Sequence, residues 1–283
     1  MPSTTANRSP KSGAADTSVV KQQLVQRLPY LRRYARALTG SQQIGDNYVR
    51  GSLETLVQEP DLLSEASDVG VALFKLFHRF AHAVETSTDE LAKLGDPIER
   101  RVGERLVALA PRDRQALLLI HQEGFTPAQA AEIFDVDESE IEQRLERAWS
   151  DLKRQPSTKI LIIEDEPVIA LDVAETVTSL GHNVVGMAAR ASEAVRLAKK
   201  TPPGLVLADI QLEDGSSGIS AVQEILKSID VPVIFVTAFP ERLLTGEMLE
   251  PAFVVTKPFD ATTLKVAISQ ALFCAQPPAA AEA

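Results

Sequence analysis

The sequence predicts a molecule in two parts, α + α/β: an all-α N-terminal half with a helix-turn-helix, then a C-terminal (βα)5 unit on a five-stranded parallel sheet. Two observations predict it. From Val19 to about Leu152 apolar residues recur at helical spacing and no strand pattern appears. After the turn-rich joint Gln155-Pro156-Ser157-Thr158, short β-branched runs alternate with helical patterns, an order that implies parallel strands joined by helical crossovers.

In chain order, residues 1–17 are rich in Ser, Thr, Ala and Gly without apolar periodicity and read as disordered. Leu24, Leu28, Leu31, Tyr34, Ala35 and Leu38 mark a first helix, which Gly40 stops. Helices over about 42–57 and 65–85 complete a first helical domain, residues 18–86. The polar stretch Thr86–Pro97 reads as a linker, 87–97, to a second helical domain, 98–154. There the spacing predicts helices near Ile98–Leu109 and Pro111–Glu123. Thr126, Pro127 and Gln129 form the N-cap, first turn and capping box of another helix that ends near Phe134. Asp137, with Glu140 three residues on, caps the last one. Only Phe134-Asp135-Val136 separates these two, the mark of a helix-turn-helix. Asp135 takes the turn position that Gly normally holds, and Asp tolerates a left-handed backbone better than most residues. Strands follow at roughly 159–163, 183–187, 204–208, 231–236 and 252–255, within a domain of residues 158–275. The tail 276–283 reads as disordered.

The bulk numbers suit this division. A chain of 283 residues is long enough for two or three domains, and 45% hydrophobic with 24% charged residues is ordinary for a globular protein. No apolar run approaches a membrane span, and the N-terminus lacks the apolar core of a signal peptide. The lone cysteine, Cys274, excludes an internal disulfide and is consistent with the cytoplasm. The net charge of −10 divides as −3 over residues 1–155 and −7 over 156–283, so neither half has the basic excess of a nucleic-acid binder.

Four strands end on residues that carry chemistry. Lys159–Ile163 runs into Glu164 and Asp165, Gly204–Ala208 into Asp209, Val231–Val236 into Thr237, and Phe253–Thr256 into Lys257-Pro258. In an open α/β sheet the strand C-termini line one crevice, where ligands bind. Three carboxylates, a hydroxyl and an ammonium there suit phosphoryl transfer, which needs charge neutralisation around phosphorus.

On these motifs the C-terminal domain resembles the response-regulator receiver domain, a flavodoxin-like fold. The resemblance implies that Glu164, Asp165, Asp209 and the backbone carbonyl of Gln211 hold Mg²⁺. It also implies that Asp209 accepts a phosphoryl group from a sensor histidine kinase or phosphotransfer protein, with Thr237 and Lys257 contacting that group. Such a domain receives one phosphoryl group and is not a turnover enzyme. Two positions depart from the family pattern. Val254 stands three residues before Lys257, where an aromatic residue is usual, with Phe253 facing the other side of the strand. Glu213 stands where a Pro is usual.

The helical half resembles a sigma factor of the extracytoplasmic-function class: Leu31–Gly40 is similar to the start of region 2, and residues 111–153 to the helix-turn-helix of region 4. A DNA-reading helix approaches phosphates and base edges with Arg, Lys, Asn or Gln. Residues 135–151 instead carry Asp135, Asp137, Glu138, Glu140, Glu142, Glu146 and Asp151 against Arg144 and Arg147, a net −5. Such a surface is repelled by DNA. Sigma-like helices joined to a receiver resemble the PhyR-type general stress response regulators of alphaproteobacteria. That resemblance implies a phosphorylated protein that binds a small NepR-type anti-sigma factor, so that a sigma factor goes free to RNA polymerase. It implies too that the unphosphorylated receiver packs on the sigma-like helices, with no direct DNA or membrane binding. A DNA-binding regulator that uses the helix-turn-helix, and an RNA-binding antiterminator, are the alternatives.

Two further features have a structural reading. His78 and His82, four apart on one helix, could bind metal but lack a third ligand, so a structural role is expected. Trp149 falls within an apolar pattern and is expected to pack.

Overall fold

The computed structural model describes residues 13–58, 68–94, 111–212, 215, 217–238 and 251–275, with the backbone alone at 13–18 and 85–94. The disorder expected of 1–12 and 276–283, the end of the linker at 95–97, the helix expected at Ile98–Leu109 and the Glu213 position lie outside the described residues.

The helical half contains α1 (Gly13–Thr39), α2 (Gln42–Gln58), α3 (Val69–Leu94), α4 (Arg112–His121), α5 (Pro127–Phe134) and α6 (Glu138–Leu152). Gly40 ends α1 as expected, with φ of 65°, a conformation a side chain disfavours. Two boundaries differ from the sequence reading. Helix α1 reaches back to Gly13, into the stretch expected to be disordered, where Ala14 and Ala15 carry high helix propensity. Helix α3 runs on to Leu94 through most of the expected linker, because Thr86–Asp89 interrupts the apolar pattern without a Gly or Pro to break the backbone.

Local signals in the helix-turn-helix translate directly. Thr126 and Gln129 form the reciprocal capping box with Pro127 at the first turn, and Asp135 adopts the left-handed conformation, φ 58° and ψ 49°. Asp137 occupies the N-cap position of α6, but its side chain makes no capping hydrogen bond.

The C-terminal half follows as β1 (Lys159–Ile163), α7 (Pro167–Ser179), β2 (Asn183–Ala188), α8 (Ala191–Lys200), β3 (Leu205–Ala208), α9 (Gly218–Leu226), β4 (Val233–Thr237), β5 (Phe253–Thr256) and α10 (Ala261–Ala275). The five strands form one parallel sheet in the order β2-β1-β3-β4-β5.

Strand alternation divides this sheet between two cores. Leu161, Ile163, Val206, Ala208, Phe235 and Val254 pack beneath the α8 and α9 side. Ile160, Ile162, Leu205, Leu207, Ile234 and Phe253 point the other way, into a cluster that continues through α10 into Leu31, Tyr34, Leu38 and Leu117–Leu119 of the helical half. Phe253 and Val254 therefore face opposite sides, as their adjacency requires.

Candidate functional sites: a strand-end pocket and a helix-turn-helix

Register builds the pocket. Ile163 of β1 pairs with Ala208 of β3, and the Asp209 N–H donates to the Ile163 carbonyl at 2.8 Å, so Glu164 and Asp209 emerge side by side. Thr237 of β4 pairs with Thr256 of β5, and the Lys257 N–H donates to the Thr237 carbonyl at 2.8 Å. Lys257 Nζ then reaches across the sheet end to Glu164 Oε1 and Oε2 at 3.0 and 2.8 Å, and to Asp209 Oδ2 at 2.7 Å. Glu164 and Thr237 are buried, and Asp165 is half-buried.

Carboxylate oxygens of Glu164, Asp165 and Asp209 lie within 4.8 Å of one another. Burial raises the pKa of Glu164, as does the charge of Asp209, while the Lys257 ammonium pulls it down. Burial alone would depress Lys257, but its bonds to Asp209 and Glu164 outweigh that and hold its pKa above the ordinary lysine value. Two of the three carboxylates, Glu164 and Asp209, thus share one ammonium. Gln211 is exposed at the pocket edge, its N–H 3.4 Å from Asp209 Oδ1, which also accepts from the Ile210 N–H at 2.5 Å.

One contributor escaped the sequence reading. A Cβ on Gly218 would sit 1.7 Å from the Asp209 carbonyl oxygen, so only glycine lets the start of α9 close against this strand end. Its N–H donates to the Ile210 carbonyl at 3.0 Å. The signal was a glycine opening a helix, which local pattern alone does not separate from an ordinary turn glycine.

The second site is α6. Its buried stripe is Ile141, Arg144, Ala148 and Leu152, so one of its two arginines points inward. Arg144 bonds Glu140 and lies over the Phe134 ring, 5.0 Å from its centroid. Arg147 is clamped by both carboxylate oxygens of Asp113 at 2.9 Å. Asp137, Glu138, Glu142, Glu146 and Asp151 remain exposed. The exposed charges of the helix are therefore predominantly acidic, with both arginines engaged by carboxylates.

The histidine pair separates. His78 is buried, its Nε2 2.9 Å from the Tyr34 hydroxyl and its ring against Phe134, whereas His82 is exposed beside Arg112. Trp149 is partly buried with its ring edge-on to His121, 5.6 Å between centroids. His78 and Trp149 thus pack within the helical half, whereas His82 lies at its surface.

The two halves meet along α10. Arg114 of α4 donates to Ser269 Oγ at 3.0 Å and lies 4.4 Å from the Phe273 ring centroid. Gln270 Nε2 donates to the Ala37 carbonyl near the end of α1 at 3.0 Å, and Gln155 Nε2 to the Ser269 carbonyl at 3.0 Å. Thr263 Oγ1 donates to the His121 carbonyl at 2.9 Å.

Comparison with known proteins matches three segments of the chain. Family models match the sigma2 domain of PhyR over residues 24–78, the sigma-like domain of the response regulator PhyR over 106–155, and a response regulator receiver domain over 160–269. The phyllosphere-induced regulator PhyR of Methylorubrum extorquens is 49% identical over 257 residues, covering 90% of this chain and 95% of that one. The chain belongs to the PhyR family of response regulators. Among PhyR structures, that from Brucella abortus superposes with a TM-score of 0.78 at 47% identity, covering 90% of this chain and 94% of the other. The anti-anti-sigma factor PhyR from Bartonella quintana gives 0.76 at 45%, covering 90% and 96%. The two-part PhyR architecture read from the sequence is thus borne out. Among the described residues no helix is long and apolar enough to cross a membrane.

Proposed function

We propose that this chain is a phosphorylation-activated partner switch. Asp209 accepts a phosphoryl group from a sensor histidine kinase or phosphotransfer protein, and the sigma-like helices then sequester a small NepR-type anti-sigma factor, releasing a stress sigma factor to RNA polymerase. One observation carries the reading: α6 keeps the shape of a recognition helix while both its arginines are held in pairs and its free charges are acidic. The anti-anti-sigma function named for the Bartonella relative supports it.

The chemistry follows from the pocket. An Asp209 carboxylate oxygen attacks phosphorus as the bond to the donor histidine nitrogen breaks, and that imidazole leaves with the electron pair. Lys257 stands 2.7 Å from Asp209 and offsets negative charge on the phosphoryl oxygens. Thr237, at the end of the adjacent strand, supplies a hydroxyl for the same group. Glu164, Asp165 and Asp209 bring hard oxygens together in a way that suits Mg²⁺; with the Gln211 carbonyl they would hold the ion, which would supply further charge neutralisation. One phosphoryl group is received per activation, so the chain acts as a switch and not as a turnover enzyme.

The test is co-purification with a NepR-type anti-sigma factor, with and without acetyl phosphate and Mg²⁺. Capture by wild type should rise on phosphorylation and stay basal in Asp209→Ala. An unchanged response in Asp209→Ala would remove this residue from the gate. Sequence-specific, salt-sensitive shifting of promoter DNA would favour a direct transcription regulator instead.

A further inference from the structure

The usual route out of a receiver is missing here. No aromatic residue stands at 254, and Val254 lies in the core cluster on the far side of the sheet from the helical half. A different connection is built into the turn between β5 and α10. Lys257, at its start, holds Asp209 and Glu164. Three residues on, Asp260 Oδ1 accepts from the Thr263 N–H at 2.8 Å, which starts α10. The Thr263 hydroxyl then lies between two acceptors, Asp260 Oδ2 at 3.0 Å and the His121 carbonyl at 2.9 Å. It has one hydrogen to give.

His121 closes α4, and carbonyls of a last helical turn lack partners within the helix. The next carbonyl, Gln122, accepts from Arg33 of α1 at 3.1 Å, and Arg33 is also paired with Glu123 at 2.9 Å. The receiver and α1 therefore hold neighbouring carbonyls at the end of one helix. Between them lies a cavity of about 200 Å³ lined by Arg33, His121, Gln122, Thr256, Pro258 and Asp260, which leaves the turn room to shift.

We propose that the phosphorylation signal leaves the receiver through the Lys257–Thr263 turn, and that Thr263 is the positioning residue that reports it to the end of α4. This rests on the phosphorylation of Asp209 argued above. A phosphoryl group replaces one carboxylate charge by about two and adds strong acceptors. Lys257, now shared between Glu164 and Asp209, is drawn toward it and off Glu164. The turn follows, Thr263 gives its hydrogen to Asp260, and the His121 carbonyl loses its bond to the receiver. The switch is biased by the difference in that bond between the two states.

Cys274 provides the readout, as the lone cysteine of the chain. It is half-buried on α10, 3.8 Å from the Ala37 carbonyl, and burial pushes its thiol up to about 11. Its alkylation rate in the full-length protein, with and without beryllofluoride and Mg²⁺, reports separation of α10 from α1. Wild type should react slowly and speed up with beryllofluoride. Thr263→Val should react roughly three- to tenfold faster than wild type without it, as expected for the loss of one hydrogen bond. Thr263→Ser, which keeps the donor, should restore wild-type behaviour. Asp260→Asn is the independent arm: it weakens the competing acceptor and should blunt the beryllofluoride response. A Thr263→Val protein with wild-type basal rate and wild-type response overturns the route while leaving the phosphorylation reading intact. A wild type indifferent to beryllofluoride overturns both.

Discussion

Burial of His78 among Tyr34, Phe77 and Phe134 keeps its imidazole neutral, with a pKa lowered from 6.5 to about 3, and the Arg112 and Arg144 charges act in the same direction. The unfolded chain therefore binds a proton below pH 6.5 that the folded chain refuses. Stability from this group is present above pH 6.5 and is lost as pH falls from there toward 3, at up to about 1.4 kcal/mol per pH unit. Urea midpoints between pH 7.5 and 5 should fall in wild type and fall less steeply in His78→Asn. Equal slopes would mean that other groups dominate the acid transition. At this scale the sequence was readable where position alone decides chemistry. Glu164, Asp209 and Lys257 end strands, and parallel register brings such ends together whatever the helices do. It was silent where a contact decides: the need for Gly218 depends on how close α9 comes to the Asp209 carbonyl, a distance no local pattern encodes.

Two N-caps in the helix-turn-helix have the same sequence signature and different structures. Thr126 accepts from the Gln129 N–H at 3.2 Å while Gln129 Oε1 accepts from the Thr126 N–H at 3.0 Å. Asp137 makes no such bond. Replacing Thr126 by Ala should cost about 1 kcal/mol, whereas Asp137→Ala should cost only the weak interaction of an exposed carboxylate with the helix dipole, at most a few tenths. Thermal unfolding of the two variants measures the contrast, and equal losses would show that Asp137 caps in solution. Helix existence was legible from apolar spacing throughout the described helical half. Helix ends were legible at Gly40, Pro127 and Asp135, where backbone chemistry forces a stop or start. The end of α3 was not, because a run of Thr, Ser and Asp lowers helix propensity without forbidding the helix.

The receiver and the sigma-like helices share one continuous apolar cluster, and Arg114 carries a charge across it. Its guanidinium is buried, bonded to Ser269 and stacked over Phe273. A charge-assisted hydrogen bond contributes about 1.5–3 kcal/mol, and removing Arg114 takes its cation–π contact as well. Arg114→Met keeps apolar bulk at the site while deleting both. The helical half would lose little, because the groups that Arg114 hydrogen-bonds belong to α10. The balance between closed and open forms should therefore move toward open without unfolding either half. Small-angle scattering of unphosphorylated Arg114→Met should show a larger radius of gyration than wild type, and adding beryllofluoride with Mg²⁺ should enlarge it less than it enlarges wild type. An unchanged radius with unchanged response would mean that the shared apolar surface holds the closed form by itself. In that case the polar contacts along α10 set register and not affinity, and phosphorylation would have to overcome the buried apolar area, not a few hydrogen bonds.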